Sequence, residues 1–300
     1  MKEFDYNASL SRLQFRINNI KKMLETAITQ KEVDGKTSNN NDVPYQSGLQ
    51  AKQSLIRSQH LVYQLHEYVK EEFIAYGVNP DNIYPHLKED KPETKMSGLF
   101  KQKDQDVCVV PSKIENKPEP ITWGAMKNEN VKTAYGRYKE ERILATNVRS
   151  QLSSVNKNRD TLFEREFAEA TNLHLQYPKL VLGEIYLIPV YEYDDKEMKH
   201  ENIKFKKKQT DLEKYINFFQ FINSYNYSKQ NFYAYDFSAL IIADFSHKPS
   251  PKIYLSIDEL KKDDLVSPEY SADFSALSPV QYSYRLLEKY DSIWGFDLLN

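Results

Sequence analysis

Residues 144–170 read LATNVRSQLSSVNKNRDTLFEREFAEA, and the rest of the fold is organised around this stretch. It begins with a short apolar run, continues through closely spaced Asn, Arg, Ser, Gln and Lys side chains, and ends in an acidic amphipathic segment. Short apolar runs of this kind predict a buried strand, and the last segment predicts a helix with Asp160 as its N-cap. We therefore expect a strand, a polar junction and a helix in direct succession.

Apolar runs on both sides of this junction predict the other strands of a sheet. The most apolar run is residues 180–190 (LVLGEIYLIPV), which has the length and composition of a central strand that is buried on both faces. The other runs that predict strands are residues 107–110, 143–148, 237–245 and 252–260. Helical periodicity over residues 211–225 and 279–290 places helices after two of these strands. The alternation predicts an α/β fold with a mixed central sheet flanked by helices.

The N-terminal part of the chain predicts long helices. Apolar residues between positions 10 and 27 recur at alternating steps of three and four, which makes one helical stripe. The stripe either packs on the rest of the chain or forms a dimer seam. The residues that follow are rich in Asp, Asn and Ser and predict a polar linker, after which residues 49–76 predict a second long helix. We therefore divide the chain into an N-terminal helical segment with its linker, residues 1–48, and a main α/β domain, residues 49–300.

Composition and motifs exclude several classes of protein. With 41 basic and 43 acidic residues the net charge is −2, so a uniformly cationic DNA coat is excluded and any nucleic-acid surface must come from local clustering. The single cysteine, Cys108, permits no intramolecular disulfide and indicates a reducing cytoplasm. No apolar segment is long enough to span a membrane, which predicts a soluble protein. The P-loop, GxGxxG, GxSxG and HExxH motifs are also absent, which argues against nucleotide hydrolases, dinucleotide enzymes, lipase-like enzymes and zinc proteases.

Acidic residues recur at the expected ends of adjacent elements. Asp106 precedes the strand at residue 107, the next strand ends in Asn147-Val148-Arg149, and the helix after it carries Glu164, Glu166 and Glu169. Carboxylates held at strand ends can bind Mg²⁺, which polarises a phosphodiester and lowers the pKa of an attacking water. A neighbouring cation can stabilise the charge that develops on phosphorus. This pattern predicts metal-dependent phosphodiester chemistry.

Four segments together resemble type II restriction endonucleases of the PD-(D/E)xK nuclease superfamily, over roughly residues 95–245. The segments are GLFKQKDQDVCVVP (98–111), NVRSQLSS (147–154), TLFEREFAEA (161–170) and LVLGEIYLIPVYEYD (180–194). The resemblance implies a restriction-endonuclease-like core. It also implies sequence-specific cleavage of double-stranded DNA with Mg²⁺, leaving 5′-phosphate and 3′-hydroxyl ends. A homodimer and a cognate DNA methyltransferase are the partners that it implies.

The resemblance assigns roles to three residues and departs from the family pattern at one of them. It implies that Asp106 and Glu164 hold the metal and that Arg149 takes the place usually filled by lysine. The superfamily pattern has an acidic residue, one spacer and a lysine, whereas this chain has Asn147-Val148-Arg149. In variants of the superfamily the following helix supplies the second carboxylate. We expect Glu164 in that role, with Glu166 and Glu169 as alternatives.

Polar residues near this junction are candidates for DNA contact. Lysines at the strand entrance can meet phosphates, and the Ser- and Gln-containing run has the donors and acceptors that read base edges. The candidates are Lys101, Lys103, Arg149, Ser150, Gln151, Ser153, Asn156 and Lys157. The same polar run could instead cap the helix. Two alternative functions remain open: a non-catalytic DNA-binding or protein-interaction module with a lost active site, and a helical scaffold that uses the N-terminal stripe.

Overall fold

The computed structural model describes residues 1–223 and 231–300 of the chain. Its central feature is a mixed sheet of six strands, with a hydrophobic core on each face and helices packed over both. A long N-terminal helix precedes the sheet. The expectation of a mixed α/β fold with an N-terminal helical segment is therefore confirmed.

Every apolar run that predicts a strand contains one, and the five further strands are short. In chain order the strands are β1 (Ile83–Tyr84), β2 (Thr94–Ser97), β3 (Gln102–Gln105), β4 (Val107–Val109), β5 (Leu144–Ser150), β6 (Val181–Pro189), β7 (Tyr191–Tyr193), β8 (Phe205–Gln209), β9 (Phe237–Asp244) and β10 (Lys252–Tyr254). The pairs β2–β3 and β7–β8 form separate two-stranded sheets. Every residue of β6 is buried, because this strand lies inside the sheet with a core on each face.

The strand order of the main sheet is β1-β4-β5-β6-β9-β10. Strand β6 pairs in parallel with β5 and with β9, whereas β4 and β10 pair antiparallel with their neighbours. Because β4 runs against β5, the entrance of β4 meets the carboxyl end of β5. Asp106, which immediately precedes β4, therefore lies beside the end of the strand that carries Arg149.

The helices cover the two faces in separate groups. In chain order they are α1 (Tyr6–Gln30), α2 (Gly48–Arg57), α3 (His60–Ala75), α4 (Arg137–Glu140), α5 (Val155–His174), α6 (Asp195–Met198), α7 (Leu212–Ile222), α8 (Ile257–Lys262) and α9 (Tyr282–Trp294). Helices α1, α3 and α9 share a core with one face of the sheet, and α5 and α7 share a core with the other. Residues 224 and 225 of the predicted helix 211–225 lie outside the described residues.

The apolar stripe of α1 packs inside its own chain. Leu13, Ile17, Ile20 and Leu24 are fully buried in the core that also contains residues of α3 and of the sheet. Of the two alternatives for this stripe, docking on the rest of the chain is the one observed. The predicted linker after α1 is partly ordered by short antiparallel bridges, such as the one between Val33 and Lys36.

Two predictions about helix boundaries are wrong. The predicted single helix over residues 49–76 is interrupted, because Gln59 adopts a left-handed conformation (φ 67°) between α2 and α3. The predicted N-cap Asp160 lies within α5, which begins five residues earlier at Val155. The free N–H groups of Ser154 and Val155 donate instead to the carboxylate of Glu192, at 3.1 and 2.8 Å. A side chain distant in sequence thus caps α5.

None of the helices in residues 1–223 and 231–300 combines the length and the apolar composition that a membrane span requires.

Candidate functional site

A row of polar side chains crosses three neighbouring strands on the face that α5 covers. Asn147 on β5 pairs with Glu184 on β6, and extending the β4–β5 pairing by one residue places Asp106 opposite Asn147. Paired positions on neighbouring strands point to the same face of a sheet, with Cβ atoms about 5 Å apart. Asp106, Asn147 and Glu184 therefore form one line toward α5. Asn147 and Glu184 are fully buried, and Asp106 is partly buried.

Arg149 lies beside this row and is surrounded by glutamates. Its Nε atom is 3.1 Å from Glu166 Oε1 and 3.3 Å from Glu184 Oε1. The guanidinium also pairs with Glu169, whose carboxylate in turn pairs with Lys103 from the β2–β3 hairpin. The side chains that converge on the end of β5 are thus Glu166 and Glu169 of α5, Glu184 of β6 and Lys103 of β3.

Burial shapes the electrostatics of this cluster. Burial lowers the pKa of Arg149, but the negative charges of Glu166 and Glu184 raise it by more. The pKa of Arg149 is therefore higher than its ordinary value. Burial and the neighbouring Glu166 raise the pKa of Glu184 well above its ordinary value, and burial also raises that of Glu166. Tyr235 donates a hydrogen bond of 3.0 Å to Glu166 Oε2. The two carboxyl groups are therefore poorly solvated and depend on Arg149 for charge compensation.

Several polar atoms of the cluster lack hydrogen bonds within the described part of the chain. They are both amide atoms of Asn147, Nε of Arg149 and Oε1 of Glu169. The carboxyl groups of Glu184 and Glu166 share one hydrogen bond with each other, and their other buried oxygens are satisfied only in part. The ion-pair distances from Arg149 Nε are short, but the angles do not meet hydrogen-bond geometry. Buried polar atoms in folded proteins are nearly always satisfied, so unsatisfied oxygens gathered at one point indicate a place for water or an ion.

A cleft of about 500 Å³ opens over this cluster. Asp106, Arg149 and Lys103 line one side of it, together with Ser150 and Gln151. Asp106 Oδ2 accepts a hydrogen bond of 2.7 Å from the backbone N–H of Val148, which fixes its carboxylate at the end of β5. Residues of α2 and α3 also line the cleft.

The structure brings part of the predicted site together. Asp106, Lys103, Arg149, Ser150 and Gln151 share the cleft. Glu164 does not join them: it is exposed, and at about 100° per residue it lies roughly 200° around α5 from the buried Glu166. The expectation that Glu164 supplies the second carboxylate is corrected accordingly, because Glu166 and Glu169 are the α5 residues that face Arg149.

The remaining predicted DNA contacts lie outside the cleft lining. Lys101 and Lys157 are exposed, and the backbone N–H of Lys101 donates to Asn172 Oδ1. The Asn156 side chain accepts from the N–H of Asp211 at 3.2 Å, which ties the start of α5 to the segment before α7. The backbone carbonyl of Ser153 accepts from Gln151 Nε2. These contacts hold this part of the polar run in place, but none of them caps α5, whose first N–H groups donate to Glu192.

Two residues of the site were not identified from the sequence. Glu184 is the only charged residue in the most apolar run of the chain, and charged residues are almost never fully buried unless they are paired. That isolated charge was a usable signal. His66 on α3 lines the cleft with only 3% of its surface exposed, and nothing in its sequence context distinguishes it from other helical histidines.

The burial of His66 predicts a dependence of stability on pH. Burial lowers the pKa of His66 to about 4 from an ordinary 6.5, an effect partly offset by Asp106 and reinforced by Lys70. Between these values the unfolded chain binds the proton and the folded chain does not, so stability falls as pH falls. We expect His66 to lower the free energy of unfolding by about 2 kcal/mol between pH 7 and pH 5.

Urea unfolding of the wild type and of His66→Phe at both pH values tests this. The variant removes the titrating group and keeps the ring volume, so its loss of stability over the same pH interval should be smaller by that amount. Equal losses in the two proteins would mean that His66 titrates normally.

Comparison of the chain with protein-family models, with curated proteins and with solved structures finds no match.

Proposed function

We propose that the chain is a magnesium-dependent endonuclease that cleaves double-stranded DNA in the manner of type II restriction enzymes. The observation that carries this proposal is the charge pattern of the cleft. Asp106 and Glu93 line it together with four cationic side chains, Lys91, Lys103, Arg149 and Arg165. Arg149 also pairs with the buried Glu166 and Glu184. Cationic side chains at a rim match phosphates, and buried carboxylates match a divalent cation.

The donor set fits a magnesium ion that keeps much of its water. Within residues 1–223 and 231–300, no three Asp, Glu, His or Cys side chains form a group that could hold a metal. Mg²⁺ is typically bound by one or two carboxylates plus waters and substrate phosphates, so a complete protein cage is not required. Asp106 would hold the ion, with the amide oxygen of Asn147 and the carboxyl group of Glu184 beside it. The unsatisfied amide oxygen of Asn147 supports this assignment.

The charge balance of the cluster also favours a cation. Four carboxyl groups, those of Asp106, Glu166, Glu169 and Glu184, gather around Arg149, and Lys103 pairs with Glu169. A bound divalent ion would compensate the charge of the carboxyl groups that are ionised, polarise the scissile phosphodiester and lower the pKa of the attacking water.

The two cations of the cluster would act differently. The Arg149 guanidinium is engaged by three glutamates, and its side chain is 22% exposed, so its role is to hold the carboxyl groups in place. Lys103 lines the cleft, its side chain is 25% exposed and it pairs with Glu169 alone among the glutamates of the cluster, so it could contact the phosphate. The lysine of the superfamily pattern would thus be supplied by β3, and Arg149 would be a positioning residue.

The remaining parts of the proposal follow from the reaction. Cutting both strands of a palindromic site calls for two clefts, which a homodimer supplies. A cognate methyltransferase would protect the host DNA, and both proteins would act in the cytoplasm.

Plasmid cleavage tests the enzymatic function. We expect the protein to linearise or fragment DNA containing its site in the presence of Mg²⁺ and to leave it intact in EDTA, with 5′-phosphate ends on the products. Several unrelated plasmids and phage DNAs are needed, because the recognition sequence is unspecified. If none of them is cut under any divalent cation, the nuclease proposal is overturned.

A non-catalytic DNA-binding module is the second candidate. Asn147 stands where the superfamily pattern has an acidic residue, and Arg149 is already neutralised within the cluster, both of which suit a lost active site. Gel-shift experiments with Ca²⁺ distinguish the two functions. Retardation of duplex DNA without cutting in Mg²⁺ would favour the binding module, whereas cutting excludes it.

A further inference from the structure

One face of α3 lines the same cleft as Asp106 and Arg149. Gln59, Val62 and His66 all line the cleft, and their spacing of three and four residues puts them on one side of the helix. The local structure does not favour two of these three side chains, Gln59 and His66. Such departures from local preference are expected where a residue is retained for function.

Gln59 is the first of them. It adopts φ 67° at the N-terminus of α3, a conformation that favours glycine, and among other residues mainly Asn and Asp. The fold needs the turn, because the Gln59 carbonyl accepts from the N–H groups of Val62 and Tyr63 at 3.0 and 3.2 Å. It does not need the glutamine side chain, which forms no capping hydrogen bond and is exposed at the cleft.

His66 is the second. It lies two turns further along the same face, where Nε2 is buried and has no hydrogen-bond partner in the described part of the chain. Its ring packs edge-on against Tyr63, with centroids 5.3 Å apart, so a phenyl ring would suit the packing without leaving a polar atom unsatisfied. Histidine at position 66 should therefore stabilise the fold less than phenylalanine would.

We infer that this face of α3 binds a nucleobase, with Gln59 reading the base edge and His66 supplying a hydrogen bond beneath it. The inference rests on the proposed function. Both side chains offer a donor and an acceptor, as base edges do, whereas the phosphate-matching cations of the cleft are Lys91, Lys103 and Arg165. A glutamine amide pairs bidentately with adenine N7 and N6, so adenine is the base that fits best.

Two variants separate this role from a structural one. Gln59→Gly relieves the left-handed backbone, and His66→Phe removes the unsatisfied nitrogen, so neither should lower the urea midpoint of unfolding. The matched control is Gln53→Ala, which truncates an exposed glutamine of α2. Each protein is incubated with Mg²⁺ and a duplex library of randomised sequence, and the cut ends are sequenced. The same library is used with Ca²⁺ to recover bound DNA.

We expect the wild type and Gln53→Ala to share one consensus. Gln59→Gly should lose the preference for adenine at one position of each half-site, and His66→Phe should cut the consensus at least tenfold more slowly. An unchanged consensus and rate in both variants would overturn the inference and leave the proposed nuclease standing. A wild type that neither cuts nor enriches any sequence from the library would overturn both.

Discussion

Replacing Asp106 by asparagine is expected to reduce magnesium-dependent DNA cleavage roughly 1,000-fold, because the variant loses the anionic oxygen that would hold the ion. The fold should survive, since the amide oxygen of asparagine can still accept the hydrogen bond that Asp106 takes from the Val148 N–H. DNA binding should survive as well, because Lys91, Lys103 and Arg165 remain to contact phosphates. Single-turnover cleavage and gel shifts with Ca²⁺ measure the two effects separately.

Asp104→Asn is the matched control for this variant. Asp104 lies two residues earlier on β3 and is exposed, so it carries the same change of charge without a place in the cleft. Its cleavage rate should stay within a few-fold of the wild type. Asp106→Ala should behave like Asp106→Asn in cleavage while also losing the bond to Val148. Full activity in Asp106→Asn would show that the ion, if one is used, is held elsewhere.

The strands of this fold are largely predictable from the sequence because burial on both faces forces continuous apolar runs. Residues 180–190 contain β6, and residues 237–245 contain β9. Asp106 immediately precedes β4 and Arg149 lies near the end of β5, so the predicted strands also give the places of these two residues. Strand alternation then decides which side chains share a face. The predicted strands therefore place Asp106 next to the end of β5.

The helical contribution to the site was not predictable in the same way. Which glutamate of α5 faces Arg149 depends on how the helix is rotated about its axis, and packing against the sheet and α7 sets that rotation. The start of α5 depends on Glu192, whose carboxylate caps Ser154 and Val155 from a distant strand. The break between α2 and α3 depends on Gln59, a residue that rarely adopts a left-handed conformation. Both features are imposed by tertiary structure against local preference.

Replacing Arg149 by methionine is expected to lower the free energy of unfolding by about 3–5 kcal/mol at pH 7. The variant leaves Glu166 and Glu184 without their cation, and these side chains are 1% and 0% exposed. Removing one partner of a buried ion pair strands a charge in a medium of low polarity, which costs far more than the pair itself contributes. Urea unfolding at pH 7 measures the loss.

The pH dependence of this variant distinguishes stranded charge from lost packing. Burial already raises the pKa values of Glu166 and Glu184, and losing Arg149 should raise them further above those of the unfolded chain. Groups with raised pKa values stabilise the fold when protonated, so the deficit of Arg149→Met should shrink as pH falls from 7 to 5.

Adding Glu184→Gln should recover part of the loss, because one stranded carboxylate disappears. Arg165→Met, at an exposed position on α5, should be nearly neutral. A deficit that is constant with pH and unaffected by Glu184→Gln would mean that Arg149 stabilises the fold through its contacts alone, and that the buried carboxyl groups are already neutral.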